Sequence, residues 1–548
     1  MSTPKHSITF TFKLSSGSSE STFGPRVGVA SIIRPGEAPL ELPTPGLITS
    51  TVRGVVPHLA RDTLRATDAI KWLDVPFETF LESNPPVPTL QNGSKALHKF
   101  LSFKNDKHVV SMTLRDPFDT RDMPSNEAGF VNAFCIRGVR KCTPDDWRRY
   151  ILACDPDIVY ALSDIPFTSI PPSQRRITKS IERSLSWLAH ILAPLDPLDT
   201  PTSRPHLNVF AHMAGHIVPE ARRAFAESLK EKLYGKELDA IKPFKTLDEG
   251  VVGYTFDLAP LHKALSPPGP LTHTPSSTSL NVRGTLVELD SNPNVPTPST
   301  IDKLVPLLQA SLAPLPVEKP RIAHSAGSPH EMLILIRDVG MDLFDAHWAQ
   351  RAADVGLALD FSFPAPASSS DAANTKRDLG HNLYDTAYTR DFSPLADCFA
   401  PGCAPPDDAR PKCGCMACTV RAPTSVLRHS SIDPPQEYPT SYFYSRAYLH
   451  HLLHTHEMSA SSFLVTHNIT VLSSFLAGVR DVLAHRSKEE FERETERFLE
   501  VYDGELKVLA RGRVQWAEVE LARGRGRLAR EKEKQGKDTL GTAVELDD

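Results

Sequence analysis

Arg321-Ile-Ala-His-Ser-Ala-Gly-Ser-Pro-His-Glu-Met-Leu-Ile-Leu-Ile-Arg-Asp-Val-Gly-Met-Asp-Leu-Phe-Asp345 holds one full repeat of the expected fold. The short apolar run Arg321–Ser325 reads as a strand. Ser328 then stands as an N-cap, with Pro329 at the first helical position and Glu331 at the third, so a helix is expected over Pro329–Val339. Met341–Phe344 reads as the next strand. The same alternation recurs upstream. Strands are expected at Val109–Leu114, Ile158–Leu162, Leu207–Met213 and Val251–Phe256, and helices at Asp145–Cys154, Ser180–Leu192, Glu220–Leu233 and Thr300–Ala310. Strand–helix alternation over this length predicts a parallel α/β architecture. No Gly-rich phosphate loop follows the first strand, which favours a closed (β/α)8 barrel over an open doubly wound sheet.

The composition fits one large barrel with additions. The chain has 548 residues, 40% hydrophobic and 23% charged, enough to bury a sizeable core. Its 48 prolines cluster, and the Pro/Ser/Thr-rich stretch 265–299 and the Ala/Ser/Pro-rich stretch near 362–375 read as surface insertions. A formal net charge of −5 excludes a globally polybasic nucleic-acid binder, so any RNA contact must come from a local patch. Met1–Lys13 is polar and strand-like, which argues against a signal or transit peptide. No apolar run approaches the roughly 18–20 residues of a membrane span. The expected compartment is the cytoplasm.

The eight cysteines are unevenly spread. Cys135, Cys142 and Cys154 lie apart, whereas Cys398, Cys403, Cys413, Cys415 and Cys418 crowd together, a pattern of metal binding rather than of a disulfide framework. In Cys413-Gly-Cys-Met-Ala-Cys418, three thiolates can surround one tetrahedral ion that wants one further ligand, often histidine. Downstream the chain offers His450, His451, His454, His456 and His467. Chemistry alone leaves the fourth ligand open, and a closed site of three cysteines and a histidine favours structural zinc.

Ser445-Arg-Ala-Tyr-Leu-His-His-Leu452, Glu457-Met458, Thr466-His-Asn468 and Gly478-Val-Arg480 resemble the closing segment of the tRNA-guanine transglycosylases. Leu315-Pro-Val-Glu-Lys-Pro-Arg-Ile322, Ala326-Gly-Ser-Pro329 and Val339–Asp345 resemble the segment that ends in that family's nucleophilic aspartate. Weaker similarity runs from about Arg26 to Ala484. The resemblance implies a (β/α)8 barrel with a zinc subdomain, near 398–484, whose ligands are Cys413, Cys415, Cys418 and His467. The insertion Thr419–Tyr444 between cysteines and Ser445 departs from the family, and a surface loop can absorb it at small entropic cost. The family exchanges bases: a carboxylate attacks ribose C1′ of the wobble guanosine, guanine leaves and queuine enters. A carboxylate at the C-terminal end of a barrel strand suits that covalent step, and Asp345 takes this position.

The rest of the family's pocket is missing. Its base-reading aspartate aligns with Ser163, with Asp164 one place later. Its Gln-Gly-Gly aligns with Ala214-Gly-His216, and its Gly-Gly-Leu with Asp257-Leu-Ala259. Its Asp-Ser-Gly-Gly-Phe-Gln has no counterpart beside Met112-Thr-Leu-Arg-Asp-Pro117, and the second arginine of its Pro-Thr-Arg-x-x-Arg becomes Asp354. Each buried base edge left unpaired costs about 1–3 kcal/mol, and several fail together. The combination resembles a subunit without chemistry of its own, in which Asp345 is vestigial. It implies a heterodimer with a catalytic transglycosylase subunit, contact with tRNA through that complex, and a peripheral station at the outer mitochondrial membrane. The competing readings are an active transglycosylase with a pocket rebuilt from Asp164, His216 and Asp257, and a zinc scaffold unrelated to tRNA. Residues 1–25 are expected as an N-terminal strand segment and 485–548 as a charged helical extension. There Arg511, Arg513, Arg523, Arg525 and Arg527 are candidate RNA contacts, although Glu518 and Glu520 suit a solvated helix equally.

Overall fold

Eight parallel strands close into a barrel in the computed structural model: β1 (Gly46–Ser50), β2 (Trp72–Pro76), β3 (Val109–Thr113), β4 (Ile158–Tyr160), β5 (Val209–His212), β6 (Val251–Asp257), β7 (Arg321–His324) and β8 (Leu343–Asp345). The structure describes residues 8–15, 21–121, 123–165, 172–194, 207–266, 298–366, 376–397, 413–419 and 443–520. Each strand pairs with its neighbours in sequence, and β8 closes on β1 through Leu343–Gly46, Phe344–Leu47 and Asp345–Ile48. The barrel expected from the alternation is present. Its first two strands were not foreseen, because the helices after them, Arg61–Ala66 and Ala96–Leu101, have only six residues each. Helices that short show no helical periodicity. The helix Pro329–Val339 forms as read: Ser328 Oγ accepts the Glu331 amide at 3.2 Å, and Gly340, at φ 74°, ends the helix in the left-handed region.

A three-stranded antiparallel sheet (Thr9–Leu14, Gly28–Ile33, Leu40–Thr44) covers the N-terminal end of the barrel. Its Phe10, Ala30, Ile32 and Leu42 pack against Trp72, Val109, Ile158, Phe210, Ile322 and Leu343, which lie at the starts of their strands. The Phe10 ring stands edge-on to Phe210 at 5.5 Å and to Trp72 at 6.4 Å. Two buried ion pairs fasten this layer. Arg26 Nε donates to Asp342 at 2.8 Å, and Arg34 donates to both Asp157 oxygens at 2.9 and 2.7 Å. Lys95 Nζ lies 2.9 Å from Asp157 and His98 Nε2 lies 3.1 Å away. Burial alone would push the Asp157 carboxyl up, but His98, Arg34 and Lys95 hold it well below the usual range. The sheet covers this end of the barrel, and the C-terminal strand ends lie opposite.

Contacts divide the chain into two units. Among the described residues, the first holds the barrel with 362–366 and 472–505; the second holds 349–361, 376–397, 413–419, 443–471 and 506–520. The segment expected as a charged extension therefore begins as packed structure. Lys488–Val501 buries Phe491 and Phe498, and Phe498 meets the rings of His330 at 5.2 Å and Phe363 at 6.3 Å. Its apolar stripe was hidden by a glutamate- and arginine-rich average composition. The second unit pairs Leu357–Leu359 with Gly380–Asn382 and adds the helix Arg446–His454. The expected insertions fall mostly outside the described residues, as do 521–548 with Arg523, Arg525 and Arg527. One helix, Met458–His485, is long and apolar enough to cross a bilayer, contrary to the reading above: its best window has a mean hydropathy of 1.4. That window is 61% buried inside the protein, and Leu464, Val465, Ile469 and Leu472 are core residues. Length and apolarity here build a core helix.

Asp157→Asn removes the charge that balances Arg34 and Lys95 in the buried layer. The expected loss is about 3–5 kcal/mol of unfolding free energy, read as an earlier urea midpoint at unchanged slope.

Candidate functional site

The C-terminal ends of the barrel strands converge on Asp345, the last residue of β8. The residue is 2% exposed, and each of its carboxylate oxygens accepts a backbone amide. Oδ2 accepts the Ser325 amide at 2.6 Å and Oδ1 the His347 amide at 3.3 Å, while His324 Nδ1 lies 3.6 Å from Oδ2. Phe118 stacks on the His347 ring at 3.7 Å, closing the approach from one side. Beneath it, Trp72 Nε1 donates to Ser111 Oγ at 2.9 Å, and Ser111 Oγ donates to Asp74 at 2.7 Å. Burial pushes Asp74 up to about 7 against the pull of His324, and raises Asp116 to about 6 and Glu78 to about 8. Burial lowers the His324 imidazolium, but Asp345 and Asp74 more than offset this and raise it overall.

The residues that would have to read a base are otherwise committed. Asp164 accepts both Arg176 nitrogens at 2.7 Å, Arg183 at 2.9 Å and Asn126 at 2.7 Å, so all its acceptor sites are taken. These partners hold it below the usual range despite its burial. The two arginines lie seven residues apart on one face of Gln174–Leu192, a spacing visible in the sequence that the reading did not use. His212 Nε2 sits 3.0 Å from Asp257 Oδ2, and burial lowers His216 to about 4. Two cavities open among these residues, one bordered by Ser163, His212, His216 and Asp257, the other by Arg115, Asp116, Asp119 and Asp257. Each measures about 30 Å³, room for one or two waters and not for a purine.

The sulfur cluster lies in the second unit, and the structure brings all four expected residues together. His467 Nδ1 is 3.7 Å from Cys413 Sγ, 3.5 Å from Cys415 Sγ and 3.4 Å from Cys418 Sγ. With sulfur at about 2.3 Å and nitrogen at about 2.0 Å from one ion, tetrahedral ligands would stand roughly 3.5 Å apart. These four atoms therefore fit a single metal ion, and they lie within 4.8 Å of one another. The second ring nitrogen decides the orientation: His467 Nε2 lies 2.9 Å from the Leu359 carbonyl and donates to it, leaving Nδ1 as the acceptor facing the sulfurs. Asn468 pins the same strand through the Leu359 amide at 2.9 Å and the Leu357 carbonyl at 2.9 Å. Of the other candidates, His450 is buried and His451 and His454 are exposed. His450 Nδ1 bonds the Leu383 carbonyl at 2.9 Å, and its ring lies 4.2 Å from that of His454.

A family model described as queuine tRNA-ribosyltransferase matches residues 23–244 and 293–501. The chain belongs to that family. Among its relatives, the queuine tRNA-ribosyltransferase accessory subunit 2 of Schizosaccharomyces pombe is 26% identical over 84% of this chain and 79% of its own length. The accessory subunit 2 of Trichoplax adhaerens is 24% identical over 82% of this chain and 90% of the relative, and that of Gallus gallus is 24% identical over 84% and 92%. Family membership accounts for the barrel, and the occupied mouth is where this queuine tRNA-ribosyltransferase relative departs from the family's motifs. Asp354, standing where those motifs carry a second arginine, pairs with Arg351 at 3.2 Å within its own helix.

Two outcomes follow. Asp74 has a folded-state pKa raised above its unfolded value, so its contribution to stability is full in mild acid and is lost as pH rises from about 4 through about 7. Asp74→Asn should flatten the fall in stability across that window in pH-dependent denaturant melts. Cys415→Ser should weaken metal binding by the sulfur cluster and lower the melting temperature of the metal-loaded chain, and a chelator should do the same to the unmodified chain.

Proposed function

We propose that this chain is the non-catalytic, accessory subunit of a queuine tRNA-ribosyltransferase. It forms a heterodimer with a catalytic subunit and supports exchange of guanine for queuine at the wobble position of tRNAs with GUN anticodons. The observation that carries this reading is the state of Asp345. A nucleophile must present a free carboxylate oxygen to ribose C1′, and misplacement by even about 1 Å can cost on the order of a hundredfold. Asp345 is buried, with both oxygens held by backbone amides. Asp116, Asp119 and Asp257 border a cavity at this end and disfavour RNA phosphates wherever they are ionised.

An active enzyme would need Asp164, His216 and Asp257 as base readers. Arg176 and Arg183 occupy Asp164, and His212 faces Asp257. The sulfur cluster holds zinc in this proposal: three thiolates and one imidazole form a closed tetrahedral set without an open position for substrate. The ion would be structural, tying residues 413–419 to the helix that carries His467. In this role the chain works in the cytoplasm, peripherally at the outer mitochondrial membrane. Of the candidate RNA contacts, Arg511 is paired with Asp378, and Arg513 is lowered by burial and by neighbouring Arg351.

The test is incorporation of radiolabelled guanine or queuine into a tRNA with a GUN anticodon. This chain alone should incorporate nothing, and its mixture with a catalytic subunit should be active. Asp345→Ala in this chain should leave the mixture's rate unchanged, whereas removing the partner's nucleophile should abolish it. Incorporation by this chain alone, lost on Asp345→Ala, would overturn the proposal.

A further inference from the structure

The helix Pro219–Lys230, which follows β5, carries a buried cation with no counter-charge. Arg222 is 3% exposed. Its Nε donates to the His216 carbonyl at 2.5 Å and its Nη1 to Ser311 Oγ at 3.1 Å, and both acceptors are neutral. The other N–H groups of this guanidinium meet no acceptor among the described residues. No carboxylate acts on it either: burial alone lowers it to about 10, which leaves it charged at neutral pH. Arg222 borders the first of the two cavities at the strand ends, together with Ser163, Gly215 and His216. The Ser163 hydroxyl in the same wall is buried and has no hydrogen-bond partner among the described residues. A Cβ at Gly215 would stand 2.7 Å from Arg222 Cγ, so glycine is what lets the turn lie against the helix here.

We propose that the cavity bordered by Arg222 and Ser163 is a halide site that takes one chloride ion. A charge buried without a partner is costly, and an anion removes that cost at its source. The guanidinium and the hydroxyl are both hydrogen donors, and a halide accepts from either without having a proton of its own to place. The helix Pro219–Lys230 adds the positive end of its dipole, and its N-cap, Val218, offers no side-chain acceptor to the first amides. Size selects the anion. The cavity of about 30 Å³ holds one or two waters, so a single-atom ion fits and a phosphate or sulfate with four oxygens does not.

The charges around the cavity agree in sign. Its two carboxylates are Asp164 and Asp257. Arg176 and Arg183 both bind Asp164, so with Arg222 three guanidiniums stand against two carboxylates, an excess of one positive charge. One monovalent anion cancels that excess. His212, 3.0 Å from Asp257, offsets that carboxylate further whenever it is protonated. The bound ion links Ser163, just after β4, to the first turn of the helix after β5, and through Arg222 to Ser311. Chloride therefore stabilises this side of the barrel mouth, whatever the chain does with tRNA.

The experiment exchanges sodium gluconate for sodium chloride around the full chain at constant ionic strength, and follows the chloride NMR line width and the melting temperature. Chloride should broaden saturably, bromide should compete, and the melting temperature should climb with the logarithm of chloride concentration above the dissociation constant. Ser163→Ala removes a hydroxyl without a protein partner, so it keeps the fold, and it should weaken chloride about tenfold. Arg222→Gln should abolish the response to chloride; if that variant does not fold, Ser163→Ala decides alone. Equal line widths and melting temperatures in chloride and gluconate, or unchanged chloride affinity in Ser163→Ala, would overturn the site and leave a water-filled cavity beside a lone arginine. The outcome is independent of the tRNA assay, since neither variant touches Asp345 or the cysteines.

Discussion

Asp157 and Asp342 each stand one residue before a barrel strand, and each receives a buried arginine from the N-terminal layer. That placement fixes the lower end of the barrel. The arginines anchor the antiparallel sheet, the sheet sets Phe10 under Trp72 and Phe210, and the barrel interior is filled from below. Breaking either pair would strand a charge in the interior, a cost several times that of losing an exposed salt bridge. With one end covered, the barrel's inner side chains face the strand ends at the other.

At that other end the same chemistry is turned inward. Asp345 is satisfied by two amides and neighbouring His324, and Asp164 by two arginines and an asparagine. A buried carboxylate whose oxygens are already held by donors in the protein is stable in place and poorly placed to act as a nucleophile or a base reader. Arg176 and Arg183 satisfy Asp164, and Arg351 pairs with Asp354, so these polar groups are held by partners within the protein.

The sulfur cluster depends on a backbone carbonyl. Leu359 takes the Nε2 hydrogen of His467, which sets the tautomer and aims Nδ1 at the three sulfurs, and Asn468 keeps that strand in register with the helix. The adjacent residue, Asp360, accepts the Asp397 amide at 2.8 Å and lies 3.0 Å from His381 Nε2.

Local sequence determined much of this protein. Ser328, Pro329 and Gly340 mark their helix by short-range hydrogen bonding and backbone freedom, apolar runs mark six of the eight barrel strands, and the cysteine spacing marks the sulfur cluster. These signals were legible because each rests on residues a few positions apart. β1 and β2 were not, since six-residue helices carry no period and Asp74 sits in the middle of a strand, where only a polar barrel interior makes sense of it. Which histidine completes the cluster needed family resemblance from the sequence, and geometry from the fold. The saturation of Asp164, the capping of Asp345 and the grouping of Asp360, His381 and Asp397 join residues far apart in the chain. Only tertiary structure decides them, because hydrogen bonding and charge pairing depend on distance in space, and the chain order carries no record of that distance.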